Sequence, residues 1–299
     1  MRERELTIAQ RSQTQLALRR FRQHRLAVAS LVVLLTLVLL AFVGGWLWRY
    51  SVADLTSDES VPPSWGHPFG TDAAGHDTFA QVLRGTQISI GISVLVAVFA
   101  TVVGTIWGAI AGYYGGWIDS ALMRIADLVL TLPLLAVAAV LGHNVGGSWW
   151  LIAIVIAGLY WAYVARVVRG VVLSLREKEF VEAARAIGAS DVRIIFRHLV
   201  PNSFGSIVVN ATVLVSVAIL LETALSYLGF GVRPPDTSLG LLVSEAQTAV
   251  DTRPWLFFFP GLFIVLIALT INFIGDGVRD ALDPQQAPHQ ALQQTRVRK

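Results

Sequence analysis

The sequence predicts an all-α, polytopic membrane protein with six transmembrane helices. Three observations predict this class: few charged residues, apolar blocks of membrane-crossing length, and an uneven distribution of lysine and arginine. Of the 299 residues, 55% are hydrophobic and 14% are charged, whereas soluble domains carry about 25% charged residues. The sequence has no cysteine, which excludes disulfides, thiol catalysis and cysteine-ligated metal sites.

The apolar residues form six blocks of about 20 residues, enough for a helix to cross a hydrocarbon core of ~30 Å. Lipid offers the backbone no hydrogen bonds, so each block is predicted to be a helix. Glycine and proline within the blocks, such as Gly104, Gly108 and Pro133, are compatible with membrane helices and close packing. The predicted spans are 26–48, 88–112, 121–141, 148–169, 204–227 and 255–275.

The first block follows a basic region, as the apolar part of a signal peptide does. Trp46, Trp48 and Tyr50 lie at its far end, and no small-x-small cleavage site follows. Aromatic residues suit the membrane–water interface, so we interpret the block as an uncleaved first span.

The basic residues predict the orientation. If the N-terminus is cytoplasmic, six spans return the C-terminus to the same side, and 19 of the 23 lysines and arginines lie in inner regions or at the inner ends of helices. The positive-inside rule predicts this asymmetry, so the basic N-terminus needs no nucleic-acid partner to explain it. The predicted organisation is a basic cytoplasmic segment (1–25), a first span (26–48), an extracytoplasmic loop (49–87), a five-helix core (88–280) and a cytoplasmic tail (281–299).

The inner loop at 170–203 has the composition of two short amphipathic helices. Ser174 and Glu177 have capping-box spacing, and Gly188 can end the first helix. Ser190 or Asp191 can cap the second, and Pro201 is expected to end it. Helical spacing predicts two apolar stripes, Phe180, Ala183, Ala184 and Ile187, and then Val192, Ile195, Phe196 and Leu199. Such helices can lie on a membrane or fill a groove on a partner, and periodicity leaves both open.

Glu182-Ala183-Ala184, followed by Gly188 and Pro201, resembles the EAA signature of ABC-importer permeases. His198 and Val200 depart from the general pattern, which has isoleucine and leucine there. His198 is usual in the dipeptide/oligopeptide/nickel branch, and the rest of the chain is similar to its second permease. Further matching motifs are His67-Pro68-Phe69-Gly70-Thr71-Asp72, Gly112-Tyr113-Tyr114-Gly115-Gly116-Trp117, Leu225-Ser226-Tyr227-Leu228-Gly229-Phe230-Gly231 and Gly275-Asp276-Gly277-Val278-Arg279-Asp280-Ala281-Leu282-Asp283-Pro284.

This resemblance implies a type I permease fold, location in the cell inner membrane, and partners. The expected partners, besides membrane lipid, are a second homologous permease, two cytoplasmic ATPases and an extracytoplasmic solute-binding protein. The cargo would be a peptide, with nickel or another small solute as the alternative. The segment 174–201 would form coupling helices that dock on the ATPase. Its candidate coupling residues are Phe180, Glu182, Ala183, Ala184, Ile187, Gly188, Ile195, Phe196 and Pro201.

The sequence contains none of the catalytic motifs that we sought. A phosphate-binding Walker loop needs a lysine shortly after glycine, and neither Lys178 nor Lys299 follows a glycine. No HExxH zinc motif or nucleophile-elbow serine occurs. We therefore expect a non-catalytic subunit without a cofactor of its own, with ATP and Mg bound by the partners. A membrane hydrolase is disfavoured for the same reason, whereas a stand-alone secondary transporter or channel stays open.

Four ionisable residues are notable. Glu222, near the outer end of the fifth block, is the candidate for the substrate pathway, and a structural hydrogen bond is the alternative. Asp127 is three residues from Arg124, which predicts a local ion pair. His67 and His76 are interpreted as turn residues rather than metal ligands. His76 stands where the branch has arginine, in the triplet Gly75-His76-Asp77.

Overall fold

The computed structural model describes residues 13–144 and 146–282, and over those ranges the chain is helical, with one isolated β-bridge and no strand. The predicted all-α class is confirmed. The first twelve residues, which include three of the N-terminal arginines, lie outside the described residues. So does the tail from 283 onward, including the Asp283-Pro284 end of the last motif.

The helices are bounded as follows, in chain order. They are α1 (Gln13–Gln23), α2 (Arg25–Leu47), α3 (Thr78–Tyr114), α4 (Gly116–Thr131), α5 (Leu134–Asn144), α6 (Trp149–Leu175), α7 (Glu179–Ala186), α8 (191–202), α9 (Phe204–Tyr227), α10 (Leu239–Glu245) and α11 (Trp255–Leu282). Two helices contain a π turn, α2 at Leu40–Gly44 and α8 at Ile195–Leu199. A short 3₁₀ turn, Gln247–Ala249, follows α10.

Five helices, α2, α3, α6, α9 and α11, are long and apolar enough to cross a membrane. The predicted third span is not one straight helix, because α4 and α5 meet at a 79° bend. Pro133 explains the break: it lacks a backbone N–H, and its ring favours an extended residue before it. Leu132 is extended, with ψ at 137°. The prediction of six spans therefore holds when this bent pair is counted as one.

Helix α3 begins ten residues earlier than predicted, so part of the expected outer loop is helical. The Asp77 carboxylate caps it by accepting from the Ala80 N–H. At 37 residues, α3 is about 55 Å long and extends beyond a bilayer about 40–45 Å thick. Helix α6 also exceeds its predicted end at 169 and continues to Leu175.

The GxxxG pair in α3 serves packing within the chain. A Cβ on Gly104 would lie 2.6 Å from the Trp161 carbonyl oxygen, and one on Gly108 would lie 2.3 Å from that of Ala165. Both distances are shorter than carbon–oxygen contact allows, so only glycine lets α3 and α6 approach this closely. The sequence was compatible with close packing at these glycines, and the structure identifies α6 as the partner helix.

Two apolar clusters hold the bundle together. The first joins α3, α6 and α9 to buried residues of α7 and α8. The second joins α2, α3, α9, α10 and α11. Because α7 and α8 share the first cluster with the long helices, the coupling segment is packed into the bundle.

Candidate functional site

The coupling segment, residues 174–201, begins differently from the prediction. Ser174 lies inside α6, and its hydroxyl donates to the Val171 carbonyl oxygen at 2.8 Å. The predicted capping box is therefore wrong. Helix α7 begins at Glu179 after Lys178, whose side chain makes no capping hydrogen bond. The capping box does not form because α6 continues through Ser174 instead of ending before it.

Gly188 makes the predicted turn between the two short helices. Its φ is +78°, in the region that favours glycine. The Gly188 N–H donates to the Arg185 carbonyl at 2.9 Å, and the Ala189 N–H donates to that of Ala184 at 3.0 Å. These two bonds form a Schellman motif, which satisfies carbonyls at the end of α7.

The first predicted stripe divides between two sides of α7. Val181 and Ala184 are buried in the first apolar cluster. Phe180 and Ala183 are exposed, and 85% of Ile187 is accessible. Ala184 therefore packs on its own chain, whereas Phe180 and Ile187 remain available to a partner.

The second stripe divides in the same way on α8. Ile195 and Leu199 are buried in the first cluster, while Val192 and Phe196 are exposed. Pro201 does not end the helix, which continues to Asn202. The π turn explains this, because the Val200 N–H reaches back five residues to the Ile195 carbonyl and the widened turn accommodates the ring.

The exposed members of the two predicted apolar stripes are here named the docking face. They are Phe180, Ala183, Ile187, Val192 and Phe196. Among the other candidates, Glu182 and Pro201 are exposed, Gly188 makes the turn, and Ala184 and Ile195 anchor the segment.

Tyr113, next to the C-terminal residue of α3, connects the segment to the bundle. Its hydroxyl donates to the Asp191 carboxylate at 2.6 Å. The Arg185 guanidinium lies 5.3 Å from the centre of its ring, within cation–π range. One residue of a long helix thus contacts both α7 and α8. Sequence reasoning missed this role, although the Tyr-Tyr-Gly-Gly motif marked the position.

Glu222 is wholly buried on α9. The Ser89 hydroxyl of α3 donates to its carboxylate at 3.0 Å, and the Ser226 hydroxyl donates at 2.7 Å. The Leu239 N–H of α10 in turn donates to the Ser89 oxygen at 3.2 Å. This network joins three helices around a carboxylate that has no exposed surface, which favours the structural alternative over contact with cargo.

Asp127 pairs with a different arginine from the predicted one. Its carboxylate accepts from the Arg166 guanidinium at 2.5 Å, across α4 and α6. The prediction of a local pair with Arg124 is wrong because α6 lies alongside α4 and supplies a closer cation. A second bridge that sequence reasoning missed joins Asp119 to Arg169 through two bonds of 2.5 and 2.6 Å.

The two histidines are more than turn residues. His67 is buried, with Nδ1 2.7 Å from Asp77 and Nε2 3.3 Å from Asp58. His76 Nδ1 lies 2.9 Å from Asp72, so the position where the branch has arginine still has an acidic partner. Within the described ranges, no group of three or more potential metal ligands occurs.

A small pocket of about 260 Å³ lies beside Asp72 and is also bordered by Glu245 of α10. Burial raises the pKa of the Glu245 carboxyl, and repulsion from Asp72 raises it further, while His76 acts in the opposite direction. The pocket is thus lined both by the loop before α3 and by α10.

Comparison with known proteins gives concordant matches. Residues 104–287 match the binding-protein-dependent transport system inner membrane components, and residues 12–63 match the N-terminal transmembrane domain of oligopeptide transport permease C. The oligopeptide transport system permease protein OppC of Mycobacterium tuberculosis H37Rv is 44% identical over 277 residues, which cover 91% of this chain and 95% of that protein. OppC of Escherichia coli K12 is 43% identical over 283 residues, which cover 94% of each chain.

Two solved structures share the fold. One is an inward-facing MetNI methionine ABC transporter, with a TM-score of 0.53 at 17% identity, covering 68% of this chain and 96% of that one. The other is an amino acid ABC transporter, with a TM-score of 0.50 at 14% identity, covering 67% and 92%. The predicted type I permease fold is thereby confirmed.

Proposed function

Because this chain belongs to the family of binding-protein-dependent transport system inner membrane components, we propose that it forms half of the path by which an ABC importer takes up oligopeptides. The chain is a multi-pass ABC permease of the oligopeptide branch. Relatives of this length that are named for oligopeptide transport support a peptide cargo over nickel.

Membership in this family implies an ATPase and a solute-binding protein as partners. We further propose one second, homologous permease and two ATPase subunits. In this arrangement the chain is non-catalytic, and ATP and Mg bind to the ATPases. The absence of a Walker lysine from the sequence supports this division of labour.

The docking face carries the proposed coupling. Its large apolar side chains, Phe180, Ile187, Val192 and Phe196, are exposed on two helices that are themselves packed into the bundle. Apolar residues in such a setting suit a groove on a partner protein. ATP-driven closure of the ATPases would then move α7 and α8, and Tyr113 and the first cluster would transmit the motion. Transport would alternate between a state open to one side of the membrane and a state open to the other, and ATP and cargo shift this equilibrium only as far as they bind the two states differently.

The docking face predicts how substitutions alter ATPase binding. Ile187→Asp and Phe196→Asp should each weaken it by about tenfold or more, because an unpaired carboxylate would be buried in the contact. Leu55→Asp is the matched control, since Leu55 is an exposed apolar residue of the outer loop. Binding should be measured by pull-down of the ATPase, and function by peptide uptake and ATP hydrolysis in proteoliposomes. Normal uptake by both variants would exclude this face as the coupling element.

A further inference from the structure

The Asp127–Arg166 pair is a charged site at membrane depth that remains accessible. The two side chains are 46% and 55% exposed. The predicted span within α6 is 148–169, so Arg166 lies about 11 Å along the helix axis from the centre of that span. The hydrocarbon core extends about 15 Å to each side of a bilayer's centre. The pair therefore falls within the depth of the core.

Charges at this depth do not face acyl chains, because charged groups in lipid cost several kcal/mol and turn to a protein interior or to water. Arg166 and Asp127 are half-exposed in the isolated chain. Their surface must therefore meet either water or another protein in the membrane.

The neighbouring surface favours water. Tyr163, Val167 and Val171 of α6 line one side of a cavity of about 650 Å³. On the other sides it is lined by the polar residues Asn202, Ser206, Asn210 and Arg279 and by the apolar residues Val209, Val213 and Leu282. Gly170 lies one turn from Arg166, and a Cβ placed on it would meet no atom within 4 Å. A cavity with polar groups thus lies beside the face of α6 next to Arg166.

A second groove of the bundle differs in character. A groove between α2, α3, α9 and α11 is lined almost entirely by aliphatic residues, including Val94, Val98 and Val102. Val98 is 57% exposed, which suits contact with lipid or an apolar protein surface. Val98 and Gly170 are both exposed, so Val98 serves for comparison with Gly170.

We propose that the surface of α4 and α6 around Asp127 and Arg166 lines the water-filled solute path, and that this pair binds the charged ends of a peptide. The proposal rests on the function proposed above. Arg166 matches a terminal carboxylate, since guanidinium and carboxylate groups form paired, charge-assisted hydrogen bonds. Asp127 matches a terminal ammonium. A zwitterionic cargo can thus bind both side chains in place of their bond to each other, so that neither charge is left unpartnered.

The first test is accessibility, for which the cysteine-free sequence is an unmodified background. Gly170→Cys and Val98→Cys should be compared in the assembled importer with a membrane-impermeant, charged thiosulfonate. Gly170→Cys should react at least about tenfold faster, because charged reagents reach water-lined positions and are excluded from lipid. Equal labelling rates at the two positions, or no labelling of Gly170→Cys, would mean that lipid or a partner covers this surface, and would overturn the proposal.

The second test addresses recognition. Arg166→Gln should reduce uptake of a peptide with a free carboxylate about tenfold more than uptake of its C-terminally amidated form, the loss expected for one charge-assisted contact. Arg166→Lys should restore part of the difference. Arg84→Gln is the control, because Arg84 forms a part-exposed ion pair with Asp236, 2.8 Å apart and away from this surface. Equal losses for both peptides would overturn the recognition role.

These measurements separate the two proposals. If the unmodified importer takes up no peptide with ATP, the proposed cargo fails whatever the labelling shows. If uptake is normal and Arg166→Gln does not distinguish the peptides, only the present inference fails. Should Arg166→Gln fail to assemble, Arg166→Lys and the labelling comparison decide.

Discussion

A single carboxylate, Glu222, illustrates how the bundle stabilises polar groups at depth. Its two serine donors have no access to water, so each depends on the carboxylate for a hydrogen bond. Such networks stabilise a structure when complete and destabilise it when one member is lost. Sequence position indicated that Glu222 was unusual, but it could not distinguish a buried network from a pathway residue. That distinction depends on Ser89, which is 133 positions away.

Replacement of Glu222 should therefore affect stability before selectivity. Glu222→Leu leaves the hydroxyls of Ser89 and Ser226 without their acceptor, at about 1–3 kcal/mol for each unsatisfied buried group. We expect a lower melting temperature of the purified permease and an equal loss of uptake for every peptide. Glu222→Gln, which keeps one acceptor oxygen, should be milder. Normal stability together with a loss restricted to cationic peptides would instead identify Glu222 as a cargo contact.

At the scale of helices, α3 and α6 pack closely because the glycines of α3 at their contact have no side chains. The hydrophobic blocks predicted both helices, because span length and composition are local properties. The end of α6 was misplaced because Ser174 and Glu177 match a capping pattern that the packed helix does not use. The bend between α4 and α5 was missed because proline is common in membrane spans. Pairing of Arg166 with Asp127 was not predictable, because it follows from how α4 and α6 pack.

Two mid-helix glycines provide a matched test of this packing. Gly108→Ala places a methyl group 2.3 Å from the Ala165 carbonyl oxygen, so α3 and α6 must separate, at about 1–3 kcal/mol. Gly158→Ala, on α6, meets nothing within 4 Å and should be neutral or slightly stabilising, since alanine favours helix. The comparison is the melting temperature of each purified variant. If Gly108→Ala melts like the unmodified protein, the close approach is not required.

Across the whole molecule, three segments meet at one end of the bundle. His24, between α1 and α2, lies 3.6 Å from Asp280 near the end of α11. A Cβ on Gly205, at the start of α9, would lie 3.7 Å from Leu282. The coupling segment leads directly into α9, so it shares this end with α1 and the end of α11. The structure thus gathers the basic segments at one end, as the positive-inside rule requires, and it leaves the sidedness to be measured.

We expect that end to be cytoplasmic, because 19 of the 23 lysines and arginines would then lie inside. A reporter that is active only outside the cytoplasm should be silent when fused after Lys299. The same reporter inserted at Ser57, an exposed outer-loop residue, should be active and controls for expression and insertion. Activity at both positions would mean that the bent pair α4–α5 enters and leaves on one side, so that only five helices cross. Silence at Ser57 with activity after Lys299 would reverse the orientation and remove the docking face from the ATPase side.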